Sequence, residues 1–406
     1  MSQPTAAEHP SAGPGRLIAA GIAATLAGIG VGRFAYAALL PGLINAGWLS
    51  TSDAGYVGAA NLLGYLVGAL LAGRAERWLG ARLLINASTV LIALGFFLST
   101  WAAPVWWFSL WRFVAGVTGA FLIVVVPSLV ATRLPPHLRK HGATWIFTGI
   151  GIGVVLSATL VPALVHRGLP LAWLALGLIS LVPVALAWVR WPPVPVSHSD
   201  ARASLRPGFG PVLWLVYLAY ALDATGFVPH TVFWVDYLEH HRHLSSFAGG
   251  VQWAVLGMGA IGGPFIAGAV ARRFGWHTAM TTALVLKGCG VWLPMLVPGL
   301  AAISASSFLV GAMIPATVAS TAGLIGELTG PGGRTAAWGR ATALFALSQA
   351  GAAYAMAPIY AHAHSGNLIF YIGGSALFLG VLLMLLAGAL GRRRTPTMAA
   401  SAGSEA

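Results

Sequence analysis

The chain has 406 residues, of which 58% are hydrophobic and only 8% are charged. Soluble domains carry about 25% charged residues, so this composition excludes an ordinary soluble globular protein. The formal net charge of +13 would suggest nucleic-acid binding if it lay on a soluble surface. Here the basic residues fall between long apolar segments, which favours membrane topology as the reason for the charge and argues against a nucleic-acid partner.

Apolar segments fill most of the chain, and each can cross about 30 Å of hydrocarbon as a helix. Because a backbone in lipid must satisfy its own hydrogen bonds, each segment is predicted to be α-helical. Segments 1 to 12 lie at 17–40, 54–73, 83–103, 106–132, 143–165, 170–189, 211–235, 247–271, 278–297, 301–325, 338–360 and 367–390. The sequence therefore predicts an all-α polytopic protein with twelve transmembrane helices in a lipid bilayer.

Basic residues alternate sharply between successive connections. Both tails and every second connection hold 17 of the 22 Lys and Arg residues: Arg16, Arg74, Arg77, Arg82, Arg133, Arg139, Lys140, Arg190, Arg202, Arg206, Arg272, Arg273, Arg334, Arg340, Arg392, Arg393 and Arg394. The opposite connections hold only Arg167 and Arg242. Since positive residues stay inside, both termini are predicted to be cytoplasmic.

The longest polar gap, 190–209, is rich in proline and basic residues and divides the segments six and six. It predicts a cytoplasmic linker between an N-terminal half at 17–189 and a C-terminal half at 210–390. Residues 1–16 are predicted to form a disordered cytoplasmic tail, and residues 391–406 a second cytoplasmic tail.

The two halves resemble each other at a shift of 195 residues. Without a gap, identities fall at Gly64/Gly259, Gly68/Gly263, Ala72/Ala267, Gly73/Gly268, Arg77/Arg272 and Gly80/Gly275, and further on at Phe113/Phe308 and Gly116/Gly311. Both halves keep the same sidedness, so the repeat is predicted to be parallel, with its axis along the membrane normal. The glycines at four-residue spacing predict close helix packing.

Several motifs resemble the major facilitator superfamily. The loop GRAERWLGAR at 73–82 is similar to that family's Gly-x3-Asp-Arg-x-Gly-Arg-Arg loop, and GAVARRFG at 268–275 repeats it without the acid. RFVAGVTGA at 112–120 is similar to the family's Arg-x3-Gly-x2-Gly-Ala pattern. GVGRFAYAALLP at 30–41 and NLLGYLVGAL at 61–70 resemble the YbfB/YjiJ-like branch in particular.

This resemblance implies a transporter in the bacterial inner membrane, with segments 1, 4, 7 and 10 lining a central cavity. It also implies gating loops on the cytoplasmic side, for which the candidate residues are Gly73, Glu76, Arg77, Gly80, Arg272 and Gly275. The Gly-Pro-x2-Gly-Gly pattern of family antiporters is missing from segment 5, where the sequence is GIGIGVVLSATLVP.

Four charged residues lie inside the segments, where each costs about 2.5–3.5 kcal/mol on insertion scales. Asp223 is the only carboxylate deep in a predicted segment, and it is a candidate for proton coupling or for a permanent salt bridge to Arg33 or Arg112. The two arginines are candidates for binding an anionic substrate, because guanidinium groups pair with carboxylates through two parallel hydrogen bonds. Helix packing is the alternative role for Arg112. Lys287 could pair with substrate or Asp223, or extend toward the interface.

Two histidine-containing stretches are also candidates. His230 follows a proline near the outer end of segment 7, where it could be a titrating gate or a hydrogen-bonded interfacial residue. The stretch EHHRH at 239–243 invites a metal interpretation, but Arg242 would repel a cation, so we predict a solvated external loop.

These features favour a secondary active transporter of a small organic molecule by alternating access, coupled to protons and acting as a monomer, with an anion as the candidate substrate. A drug-efflux antiporter is the alternative within the same class. A membrane-embedded enzyme is disfavoured because no nucleophile or metal ligand set joins Asp223 and His230, and a sensor has little use for buried charges. No Gly-x4-Gly-Lys-Ser/Thr loop occurs, so ATP is excluded as the energy source and no cofactor is expected.

Overall fold

A computed structural model describes residues 13–183, 210–362 and 366–394. The predicted linker at 190–209 lies outside the described residues, as do most of the two predicted tails. The first helix begins at Pro14 and the last ends at Arg394, so each reaches a few residues into the predicted tail.

The described residues form twelve helical crossings, as the sequence predicts. Three long helical runs each contain one glycine with non-helical backbone angles, and each such run is therefore two crossings. Helices α1 to α12 span 14–45, Thr51–Leu79, Ala81–Phe97, Val105–Arg133, Pro136–Val165, Leu169–Ser180, 211–241, 246–274, 276–296, 300–329, 331–362 and Leu368–Arg394. Eight of the described helical stretches are long and apolar enough to cross a membrane, and one of these, Ser246–Leu296, contains two crossings.

Repeat-related glycines make the turns after α2 and α8. Gly80 has φ 73° and ψ 150°, and Gly275 has φ 80° and ψ 163°. This backbone region is essentially restricted to glycine, because a Cβ atom would collide with the neighbouring carbonyl. The equal geometry at positions 195 residues apart supports the predicted internal repeat.

The repeat is also visible in the packing of α2 on α4 and of α8 on α10. A Cβ atom on Gly64 would collide with the backbone carbonyl of Phe113, and one on Gly259 with the carbonyl of Phe308. Gly68 and Gly263 contact the backbones of Val117 and Ala312 in the same way. Each contact recurs at a shift of 195 residues, so the predicted close packing at these glycines is confirmed in both halves.

Helices α1 and α7 are interrupted, unlike their neighbours. In α1 a π-helical turn at Leu26–Val31 and a turn at Gly32 to Phe34 separate Pro14–Thr25 from Ala35–Asn45. In α7 two π-helical turns, Pro229–Phe233 and Tyr237–His241, follow Pro211–Gly226. Such turns occur frequently at functional sites, because they shift the side chains that follow them.

The prediction of a loop at 239–243 is wrong for residues 239–241, which belong to α7, whereas the predicted exposure holds because none of residues 239–243 is buried. The predicted segment 7 stops at 235, but α7 continues to His241 and keeps Asp236 and Tyr237 buried. The polar composition concealed the helix, because side chains in this part of α7 bond to each other and to neighbouring helices while Glu239, His240 and His241 stay at least partly exposed.

The twelve crossings define two faces. We call the face with the first and last helix ends, Gly80 and Gly275 the terminal face, and the opposite face the distal face. The two halves meet near the distal face through small or apolar contacts: Gly55 against Ala357, Tyr56 stacked on Tyr354 at 6.2 Å between ring centres, and Gly250 against Pro162.

Candidate functional site

Arg33 lies at the break in α1 and is half-buried. Its Nε and one Nη atom are shielded from solvent and have no hydrogen-bond partner. None of the carboxylates in the described residues lies within 4.0 Å of it. Its guanidinium group contacts two aromatic rings instead, with the Phe34 ring centre at 5.3 Å and the Tyr65 ring centre at 5.4 Å. Arg33 is therefore a cation without a counter-charge among the described side chains.

Arg112 on α4 is buried, with 3% of its surface exposed. One Nη atom donates a hydrogen bond to the backbone oxygen of Arg33 at 3.1 Å, and the guanidinium carbon lies 5.0 Å from the Tyr36 ring centre. The backbone oxygen of Arg112 accepts a hydrogen bond from Asn61 Nδ2 at 2.9 Å. Arg112 thus holds the interrupted part of α1 in place, so it positions Arg33.

Asp223 pairs with Lys287, not with either arginine. Lys287 Nζ on α9 lies 2.6 Å from Asp223 Oδ1 on α7, and the two side chains are 0% and 1% exposed. The ammonium group also lies 4.7 Å from the Phe227 ring centre, while Asp223 Oδ2 has no hydrogen-bond partner. Neither side chain is exposed at the membrane interface, so this ion pair lies in the interior of the C-terminal half.

His230 is fully buried in the C-terminal half, and is not an interfacial residue. Its Nε2 lies 2.8 Å from Ser306 Oγ, and that hydroxyl donates to the Gly290 carbonyl at 2.6 Å. Because the serine hydrogen is already used, His230 Nε2 must be the donor and therefore carries a proton. The ring stacks on Trp234 at 4.3 Å. These contacts tie α7 to α9 and α10 and give His230 a packing role.

A cluster that the sequence analysis missed lies near the distal end of α7. Asp236 is a second deep carboxylate, with 2% of its side chain exposed. Its Oδ1 lies 2.8 Å from His240 Nδ1, and its Oδ2 accepts a hydrogen bond from the Tyr360 hydroxyl at 2.7 Å. His240 Nε2 lies 2.8 Å from Asn45 Oδ1. The i, i+4 spacing of Asp236 and His240 was a signal, but the end assigned to segment 7 concealed it.

The candidate gating residues lie on the terminal face. Arg77 folds back so that one Nη atom lies 3.7 Å from where a Cβ atom on Gly73 would be, and Arg272 does the same at 3.6 Å from Gly268. Glu76 is close enough to Arg77 for an electrostatic interaction between the two side chains. The two loops therefore share a geometry, and the acid is present in only one of them.

Aromatic side chains from both halves surround the surface near Arg33. Phe34 packs edge-on against Trp253 of α8 at 6.1 Å, and the indole nitrogen of Trp253 is buried without a partner. Tyr220 of α7 lies within electrostatic reach of both Arg33 and Asp223. Among the described residues, no three His, Cys, Asp or Glu side chains come together as a metal site. The arrangement is suited to binding an organic anion between the halves.

Comparisons with known proteins give a consistent result. A family model described as "Uncharacterised MFS-type transporter YbfB" matches residues 25–385. The 3-(3-hydroxy-phenyl)propionate transporter of Escherichia coli is 28% identical over 330 residues, which cover 71% of this chain and 79% of that protein. The gentisate transporter of Corynebacterium glutamicum is 25% identical over 138 residues, which cover 34% of this chain and 31% of that protein.

Solved structures show the same fold. The crystal structure of a D-xylose-proton symporter superimposes with a TM-score of 0.71 at 18% identity, covering 91% of this chain and 96% of that one. At this identity the likeness concerns the arrangement of the helices alone.

Proposed function

We propose a mechanism of substrate binding and energy coupling for this chain, which belongs to the YbfB-like family of major facilitator superfamily transporters. As a member of that family it is a multi-pass membrane transporter of small organic molecules. Its substrate is a small organic anion that binds between the halves, Arg33 binds the anionic group, and Asp223 takes up the accompanying proton.

The observation that supports an anionic substrate is the missing counter-charge at Arg33. The described helices bury three cations, Arg33, Arg112 and Lys287, and Asp223 neutralises only Lys287. Asp236 has its own partners in His240 and Tyr360. A charge inside the membrane costs about 2.5–3.5 kcal/mol on insertion scales, so a substrate carboxylate at Arg33 would offset an existing cost.

The rings near Arg33 favour a carboxylate that also carries an aromatic group. Phe34 and Tyr65 flank the guanidinium group, and Trp253 supplies a free indole N–H from the opposite half. Aromatic rings gain from offset stacking and edge-to-face contacts, which such a lining supplies. Two relatives that are named as transporters of 3-(3-hydroxy-phenyl)propionate and gentisate agree with this choice.

Proton coupling through Asp223 follows from its position relative to Tyr220. Tyr220 lies within reach of the charges on both Arg33 and Asp223, so it is the residue through which we propose that an anion at Arg33 influences the Asp223–Lys287 pair. A nearby negative charge favours the protonated carboxylic acid, and the partnerless Oδ2 atom can accept the proton. Anion binding and proton uptake then promote each other, as linkage requires.

We also propose an orientation of the chain in the membrane and a monomeric transporter. The 17-to-2 distribution of Lys and Arg puts the terminal face and the linker at 190–209 in the cytoplasm and the distal face outside. Arg33, Asp223 and both gating loops belong to one chain, so a monomer suffices for transport.

Arg33→Gln and Arg33→Lys test the anionic substrate. Purified protein is reconstituted in liposomes, and uptake of radiolabelled 3-(3-hydroxyphenyl)propionate is measured with 3-phenylpropionate or its amide as competitors. We expect Arg33→Gln to weaken binding about 10- to 100-fold, since hydrogen bonds to charged groups contribute about 1.5–3 kcal/mol. Arg33→Lys should also impair binding, because an ammonium group cannot reproduce the bidentate geometry.

Arg16→Gln is the matched control, since it removes an exposed cation on the terminal face outside the gating loops. It should leave uptake and competition unchanged. Full transport by Arg33→Gln, or stronger competition by the amide than by the carboxylate, would show that the substrate is not bound as an anion.

A further inference from the structure

A polar cluster joins the two halves at the distal face. We call Asn45, Asp236, His240 and Tyr360 the distal latch. Asn45 ends α1 of the N-terminal half, whereas Asp236 and His240 lie on α7 and Tyr360 on α11 of the C-terminal half. The His240–Asn45 contact of 2.8 Å is therefore a direct polar link between the halves, beside the small and apolar contacts at Gly55, Tyr56 and Gly250. Separation of the halves at this face must break it.

The geometry of the latch depends on the protonation of His240. Its two ring nitrogens face two oxygen atoms, Asp236 Oδ1 and Asn45 Oδ1. A neutral imidazole has one N–H group, so only the doubly protonated ring donates to both oxygens. Without the second proton, the Asn45 amide must turn and donate instead, and the link becomes a neutral hydrogen bond. Charge-assisted hydrogen bonds are about twice as strong as neutral ones.

The remaining parts of the latch hold His240 in place. Asp236 is fixed through its second oxygen by the Tyr360 hydroxyl, so the carboxylate that faces the imidazole cannot turn away. On the same helix, Glu239 bonds to Ser246, and His241 stacks against Tyr237. His166 at the end of α5 faces Glu239, and Tyr36 of α1 faces Asp236. These are the titratable groups around His240, together with His243 beside His241.

Water can reach the latch from the distal face. A cavity of about 490 Å³ opens between the halves there, and its lining includes Asn45, Glu239, Ser246 and His166. The His240 side chain is 35% exposed, while Asp236 behind it is buried. His240 can therefore exchange a proton with the distal solution while the halves remain in contact.

We propose that His240 is a proton-binding residue that closes the distal face. Protonation of His240 strengthens its link to Asn45 and holds the halves together, and loss of the proton weakens the link and favours opening. This device rests on alternating access alone and is independent of the substrate and of the role of Asp223. In the proposed orientation, a higher external proton concentration favours closure of the external side.

Distance measurement by electron paramagnetic resonance between the halves tests the proposal. Spin labels go at Ala102→Cys and Val297→Cys, two exposed distal positions in opposite halves, after Cys289→Ser removes the native thiol. The protein is in lipid nanodiscs without substrate, and Asp223→Asn is included to remove the other candidate proton site. As the pH is raised from about 5 to about 9, across the titration range of histidine, the ratio of short to long distances should fall about fivefold.

His240→Ala should give the long distance at every pH, and Asp236→Asn should move the transition to lower pH, because it removes the negative charge that favours the imidazolium. His243→Asn is the matched control, since it removes an exposed neighbouring histidine at a positive φ that asparagine tolerates. It should keep the full pH dependence. A distance distribution that does not change with pH, or a pH dependence that persists in His240→Ala, would overturn the proposal, and neither result would affect the anion test at Arg33.

Discussion

The two halves share a scaffold but differ in how they treat their charges. In the N-terminal half, Arg33 and Arg112 have no carboxylate partner among the described residues. In the C-terminal half, Asp223 pairs with Lys287, and Asp236 contacts His240. One half therefore keeps uncompensated cations, and the other keeps pairs in which a proton can move. This division suits a transporter in which one half binds an anion and the other responds to protons.

Repeat-related positions, 195 residues apart, also differ in charge between the two halves. The counterparts of the four charged residues inside the predicted segments are uncharged: Arg33 corresponds to Val228, Arg112 to Ser307, Asp223 to Gly28 and Lys287 to Ile92. The packing glycines, in contrast, agree in both halves contact by contact. The repeat therefore keeps the residues that set the helix spacing, and the residues that carry charge differ between the halves.

The largest effect is expected from removing one member of the buried ion pair. Lys287→Met leaves Asp223 without its partner and should destabilise the protein by about 3–5 kcal/mol, because an uncompensated buried charge remains. Arg112→Met removes a hydrogen bond without leaving an acid behind, and should cost about 0.5–1.5 kcal/mol. Unfolding of each variant in one detergent, followed by circular dichroism, measures the difference between the halves.

The double variant Asp223→Leu/Lys287→Met should recover most of the lost stability, since an apolar pair of similar volume replaces the charges. Asp223→Asn should abolish transport driven by a pH gradient and leave substrate exchange measurable. Equal destabilisation by Lys287→Met and Arg112→Met would contradict the division of charges between the halves.

The turn glycines should give a smaller effect that is the same in both halves. Gly80→Ala and Gly275→Ala should each cost about 1–3 kcal/mol, because both backbones have a positive φ that a Cβ atom disfavours. Neither position is crowded, so backbone strain alone should appear. Turnover should also slow more than binding weakens, because the family resemblance implies that these loops act in gating. Thermal unfolding and transport kinetics measure both effects.

Gly262→Ala is the control for these two variants, since it lies in a helix with open space around it. It should be neutral or stabilising by up to about 1 kcal/mol, because alanine favours the helix. A clear difference between Gly80→Ala and Gly275→Ala would mean that the repeat is not equivalent at its loops.

The smallest effect on the protein itself is expected from single cysteine substitutions on the surface. Labelling of these cysteines tests the orientation and the parallel repeat together. In a Cys289→Ser background, Ala102→Cys and Val297→Cys are repeat-related positions on the distal face. Trp78→Cys and Arg273→Cys are repeat-related positions on the terminal face. An impermeant thiol reagent added to intact cells should modify the first pair and spare the second, as detected by mass spectrometry. Modification of Trp78→Cys from outside would reverse the proposed orientation.

Hydropathy alone predicted the twelve crossings, because burial in lipid is a property of each segment by itself. The pairing of Asp223 with Lys287 depends on which helices face each other, and the residues are 64 positions apart in the chain. One signal was nevertheless present: Asp223 lies about 18 Å along α7 and Lys287 about 17 Å along α9, and both helices start at the terminal face. Equal depth and opposite charge favoured this pair over either arginine.

The distal latch shows a different limit of sequence reasoning. The residues EHHRH look like a solvated loop, since polar composition normally indicates exposure. Their helical conformation depends on partners in distant helices, such as Asn45 and Tyr360, which local composition cannot reveal. The π-helical turn of α1 was missed because its apolar sequence is compatible with an ordinary α-helix.

The glycine contacts between α2 and α4, and between α8 and α10, have a mechanical consequence. At these contacts backbone lies directly against backbone, with no flexible side chain between to absorb a displacement, so each pair should behave as one stiff rod. The π-helical turns of α1 and α7 have irregular hydrogen bonding and are the compliant parts in series with these rods. Any bending during a transport cycle should therefore concentrate in α1 and α7, where Arg33, Asp223 and the distal latch lie.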